Sequence, residues 1–244
     1  MNTWDKFLRM VEDTIEKYRG EGSDILFFRG HGDSGWKLEP SLWRDNYHNR
    51  LEGILYYDFV SNAAPLLPPN SNSWDILFEM RHCGLPTRLL DWSENFAVAL
   101  YFAISNAPVN PCIWILNPFK LNRLSCEQEG ILNPTTDLEY SYFGAFIDEE
   151  ETAYENPIAI YPTKQSKRIF AQKGAFTLHG TTRTPIEELY PECLTRIELP
   201  RNAIEKALAF LELAGINEYS VFPDLDGLSR YLCRRHLDSM RNDA

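Results

Sequence analysis

Residues 25–35 read ILFFRGHGDSG, and the fold turns on how this stretch is read. Four apolar residues, Ile25 to Phe28, run into Arg29, and a loop of little bulk with Gly30, Gly32 and Gly35 follows. A short apolar run bounded by glycines predicts a buried strand, Ile25–Arg29. It ends on a guanidinium, which is costly to desolvate without a partner. Something anionic must therefore meet Arg29. The protein's own candidates are Asp91, Asp224 and Asp226; the alternative is a ligand, brought close to the backbone by the glycines.

Working outward, Trp4, Phe7, Leu8, Val11, Ile15 and Tyr18 fall at helical spacing before the strand, with Asn2 or Thr3 as cap and Gly20 or Gly22 as stop. After it, residues 47–66 predict a helix, and Ser73 caps a second one that Gly84 closes. In LPTRLLDWSENFAVALYFAI (85–104), Asp91 or Ser93 is expected to cap a helix whose N-terminus would suit an anion. CIWIL (112–116), PIAIYP (157–162), GAFTLHG (174–180) and CLTRIELP (193–200) predict short strands. A helix follows Pro200, and a last one starts near Pro223, with Arg234, Arg235 and His236 expected in its final turn. Helices and strands are segregated rather than alternating, so the class is α+β: a mixed sheet of short strands with helices around it, in one domain over residues 1–244.

Composition narrows the function. The chain has 244 residues and a net charge of −11, which disfavours nonspecific attraction to nucleic acid or anionic membrane. No apolar run nears the roughly 20 residues that span a bilayer, and the N-terminus has no signal-peptide pattern. The five cysteines are scattered without zinc spacing, as expected of reduced thiols in a cytoplasmic protein, and no metal site is expected.

Three stretches combine polar groups with special backbone residues: Phe28-Arg29-Gly30; RHCGLPTRLLDWS (81–93), with His82, Thr87, Arg88, Asp91 and Ser93; and KRIFAQKGAFTLHG (167–180), with Gln172 beside Gly174. There is no GxSxG, Walker loop, GxGxxG or HExxH. The His, Asp and Ser of HGDSG are loop neighbours, which rarely converge as a triad. The acidic run at 148–151 suits a solvated loop better than the metal cluster of a nuclease.

FFRG, RHCGLPTRLLDWSENFAVALYFA, RIFAQKGAF and FPDLDGLSRYL together resemble the FRG domain, a prokaryotic and phage-associated family named for its Phe-Arg-Gly motif. The resemblance runs from about Ile25 to Leu232. The motif order is also similar, more weakly, to ADP-ribosyltransferases of the Arg-Ser-Glu type. That resemblance implies an ADP-ribosyltransferase-like sheet and an NAD cofactor held by Arg29, Gly30, His82, Thr87, Arg88, Asp91 and Phe102. Its catalytic set would be Arg29, Thr87 and a third group, Gln172 or Glu198, because the third motif lacks its glutamate. The implied role is a toxin or phage-defence effector that modifies RNA, DNA or protein and is neutralised by an antitoxin protein. The competing expectations are a noncatalytic nucleotide- or phosphate-binding module using Arg29, and a nuclease.

Overall fold

The computed structural model describes residues 2–44, 51–162 and 166–242. Its centre is a six-stranded sheet of β1 (Phe27–His31), β2 (Leu89–Ser93), β3 (Cys112–Leu116), β4 (Ile158–Ile160), β5 (Gly174–Leu178) and β6 (Leu194–Glu198). The spatial order is β4-β5-β2-β1-β3-β6. All ladders between these strands are antiparallel, which corrects the expected mixed sheet. The class is α+β, with helices on both faces.

The ladders are uneven. β1 pairs with β3 along all five residues, from Phe27↔Leu116 to His31↔Cys112, but with β2 only at Phe28↔Ser93. The sheet therefore parts between β1 and β2 beyond that pair. Arg29 stands at the parting.

Asn2 caps the Thr3–Gly20 helix, which buries Trp4, Phe7, Val11 and Tyr18. Together with the Phe96–Ile104 and Ile204–Leu213 helices it covers one end of the sheet. A second apolar cluster joins the Ser73–His82 helix, capped by Asn72 with Asp75, to Leu89, Phe176 and Leu178. Between the expected helix limits 47 and 66 the structure has Leu51–Ala63, and residues 47–50 lie outside the described ones.

Three expectations about helix ends are corrected. Ser73 is the first residue of its helix, and Asn72 before it is the cap. Asp91 and Ser93 are strand residues, and Asn95 caps the helix that follows, accepting from the Ala97 N–H. That helix end is thus closed by its own side chain. The last helix runs from Leu225 to Asn242, so Arg234, Arg235 and His236 lie before its final turn.

Gly30 has a packing role. A methyl group there would stand 1.9 Å from the Ala99 carbonyl oxygen and 2.6 Å from the Ala103 nitrogen. The glycine lets the Phe96–Ile104 helix lie directly on β1, where Phe28 and Gly30 share a face. Its hydrogen in place of a side chain is needed for that contact before any ligand is considered.

Candidate functional site

A cleft of about 330 Å³ opens over the parting, lined by parts of β1, β2, β5 and three helices. Phe28, Phe78, Val98, Phe102, Ile169 and Phe176 supply apolar wall, while Arg29, Arg81, Arg168 and Asp91 supply charge. The Ser73–His82 helix presents Phe78, Arg81 and His82 to the cleft at i, i+3 and i+4. Phe78 packs on Phe176 of β5, with ring centroids 5.2 Å apart.

Arg29 is 15% exposed. Its Nε donates to His31 Nε2 at 3.0 Å, and its Nη1 donates to the Asp91 carbonyl across the parting, where ladder pairing is missing. The Asp91 carboxylate is more distant, 3.9 Å from Nη1. That carboxylate belongs to Arg81, whose Nε lies 3.1 and 3.0 Å from its two oxygens and whose Nη2 also donates to it. Arg168 donates to the His82 carbonyl at 3.2 Å and lies over the Phe222 ring.

The electrostatics follow from three cations around one carboxylate. Burial pushes the Arg29 guanidinium down to about 9; Asp91 resists this, and Arg44 and Arg81 add to it. It remains charged at neutral pH. Burial also lowers Arg168, partly offset by Asp91. Burial raises the Asp91 carboxyl, but Arg81, aided by Arg29 and Arg168, outweighs this and holds it below the ordinary range. An incoming anion would relieve the repulsion among the arginines, and a phosphate group matches planar guanidinium forks.

Of the residues singled out from sequence, Arg29, Gly30, His82, Asp91, Ser93, Phe102 and Gln172 line this cleft. The other three do not. Thr87 is fully buried, with its hydroxyl 3.4 Å from the Leu89 N–H. Arg88 is buried against Glu52, donates to the His179 and Gly180 carbonyls, and stacks on Phe146 at 3.7 Å. Glu198 is an exposed residue of β6, on the far side of β3, 3.7 Å from Arg196. Each is removed from ligand contact by a local cause: core packing, a buried ion pair and an edge strand.

Ser93, six residues after Thr87 in the same stretch, does reach the cleft. It lies in the cleft wall and is joined in register to Phe28 of β1 and Gly174 of β5. Its hydroxyl donates to the Gln172 carbonyl at 2.6 Å and accepts from the Asn95 N–H. The Gln172 side chain donates to the Val221 carbonyl at 3.1 Å. Arg81 and Arg168 are therefore site residues beyond those singled out from sequence, and Ser93, singled out but given no binding role, joins them. Asp91, a carboxylate at an inward strand position, called for a cation, and Arg81 ten residues earlier was a signal available in the sequence.

A second compartment of about 550 Å³ adjoins the first through Phe102, Asn106 and Arg168, and Asp224, Asp226 and Arg230 line it. The acidic run at 148–151 is exposed loop outside both compartments. Among the described residues no group of His, Cys, Asp or Glu is placed to hold a metal ion, and no helix is long and apolar enough to cross a membrane. All five cysteines are free.

Residues 24–110 match the FRG domain family model. No curated protein and no solved structure matches the chain. The matched segment holds β1, the Ser73–His82 helix, β2 and the Phe96–Ile104 helix, hence Arg29, Arg81, Asp91 and Ser93, whereas Arg168 and Gln172 lie beyond it. The similarity to the FRG domain family thus covers residues 24–110, the segment that carries the Arg29 side of the cleft.

Proposed function

We propose that the cleft binds NAD and that the protein transfers ADP-ribose to a macromolecular acceptor. One observation carries this reading: Arg29, Ser93 and Gln172 reach a single cleft from β1, β2 and the turn into β5, three neighbouring strands joined through Phe28↔Ser93↔Gly174. The order Arg, Ser, third polar group is that of the Arg-Ser-Glu transferases that the motifs resemble. Arg29 and Arg168 would take the diphosphate, and the aromatic wall at Phe78, Phe102 and Phe176 would take a ring. In the reaction the glycosidic bond breaks, its electron pair leaves with nicotinamide, and the acceptor attacks the cationic sugar carbon and loses a proton. The Gln172 amide oxygen would support that cation more weakly than a carboxylate.

A second reading, a noncatalytic nucleotide-binding module, is favoured by the state of Asp91. It is the one carboxylate among the cleft-lining residues, and Arg81 already holds both its oxygens.

The test incubates labelled NAD with the protein and an extract containing protein and nucleic acid, beside Arg29→Ala and Arg168→Ala. Nicotinamide release and label transfer, both reduced in the folded variants, are the expected result, and the labelled fraction names the acceptor class. A wild type that is stabilised by NAD without consuming it would instead select the binding module.

A further inference from the structure

Trp36 is 57% exposed and lines the cleft that holds Arg29. Exposure alone says little, but a tryptophan in the wall of a cleft that also holds a guanidinium offers a ligand an aromatic face beside a cation. This one is held in place from both sides. Before it, the Asp33 carboxylate accepts from the Gly35 N–H at 3.0 Å and the Asp33 carbonyl from the Trp36 N–H at 3.1 Å. The same loop is tied to residues 109–110 by Ser34 N–H to the Asn110 carbonyl at 2.7 Å and Val109 N–H to the Gly32 carbonyl at 2.9 Å. After it, Leu38 is fully buried and Lys37 pairs with Glu188 at 2.6 Å. The indole rests against His31, at 5.9 Å between centroids, and over Gly32, where a methyl group would touch its rim at 3.6 Å.

We infer that Trp36 is a stacking platform for the base of the bound nucleotide, so that the cleft reads an aromatic ring together with a phosphate. The inference rests on the nucleotide reading above and adds the residue that selects a nucleoside over a bare anion. A fixed aromatic face offers base stacking at little entropic cost, and Arg29 supplies the phosphate contact on the same wall. The free nucleotide is favoured over a nucleic-acid strand because the cleft of about 330 Å³ is small and the chain carries a net charge of −11.

Isothermal titration of the full chain with ADP and with inorganic pyrophosphate tests this, since the two differ by the adenosine. Trp36→Ala should weaken ADP by about tenfold or more and leave pyrophosphate unchanged, and Trp36→Phe should restore most of the loss. Wild-type ADP affinity in Trp36→Ala would overturn the platform while leaving the arginine site intact. Equal weakening of ADP and pyrophosphate would reduce Trp36 to a support of its loop and overturn it too. A short single-stranded oligonucleotide that binds more tightly than ADP would replace the free nucleotide by a strand. A folded wild type that binds none of the three would sink the arginine-site reading, and the platform with it.

Discussion

Arg81 holds the Asp91 carboxylate, while Arg29, one strand away, reaches only the Asp91 carbonyl and stays 3.9 Å from the nearer carboxylate oxygen. One anion thus neutralises one of three neighbouring cations, and Asp91 competes with any anionic ligand for them. Asp91→Asn should lower the melting temperature and at the same time tighten pyrophosphate binding several-fold at low salt. Calorimetry and thermal melts on the same preparation check both. Weaker binding would mean that the carboxylate orients the arginines more than it competes with the ligand.

Two buried histidines set an acid limit on stability. Burial, reinforced by Arg29 and Arg44, pushes the His31 imidazole down to about 3, and burial, with Arg88 and Arg29, takes His179 to about 3 as well. Each titrates near about 6.5 in the unfolded chain. Between those values the unfolded chain binds protons that the fold refuses, so stability is complete above the unfolded value and falls as pH drops. At pH about 5.5 the loss should be about 1.4 kcal/mol per histidine, roughly 3 kcal/mol for the pair. Urea unfolding at pH about 7.5 and about 5.5 measures it, and His179→Asn should remove about half of the slope. No change over that range would show both rings titrating in the fold as they do in the unfolded chain.

Gly30→Ala places its methyl group against backbone, 1.9 Å from the Ala99 carbonyl oxygen, so no rotamer relieves the clash. The Phe96–Ile104 helix must lift from β1, at a cost of about 2 kcal/mol or more. Ala99→Gly should fail to rescue it, because the obstruction is the carbonyl. Chemical denaturation of the single and double variants decides this, and a rescued double variant would locate the clash elsewhere.

The strands at Arg29, CIWIL and GAFTL were legible because apolar runs bounded by glycine or proline leave few alternatives, and the first helix because its period is clean. Asp91-Trp92-Ser93 was misread as a helix start because all three precede a helical run, and Asp and Ser favour caps. What decided otherwise was long-range: β5 pairs with this segment from Leu89 to Ser93. The site was half legible for a similar reason. Arg29 announced itself by standing at the end of a buried run. Thr87 and Arg88 had the same local signature as Ser93, and only register and the Glu52 partner, 36 residues earlier, separate them.

That partner yields the last prediction. Arg88 Nε donates to Glu52 at 2.7 Å inside an apolar cluster, and the Tyr142 hydroxyl donates to the same carboxylate at 2.9 Å. Both charged side chains are at most 10% exposed. Removing one partner leaves the other charge stranded, so Glu52→Ala should cost about 3–5 kcal/mol of stability. Glu52→Leu combined with Arg88→Met takes both charges away and should cost less than Glu52→Ala alone, offset only in part by the His179 and Gly180 carbonyls left without Arg88. Pyrophosphate affinity should be unchanged in the double variant, because neither residue lines the Arg29 cleft. Denaturant midpoints test the stability and titration tests the cleft. A double variant that folds but loses pyrophosphate binding would return Arg88 to the ligand site.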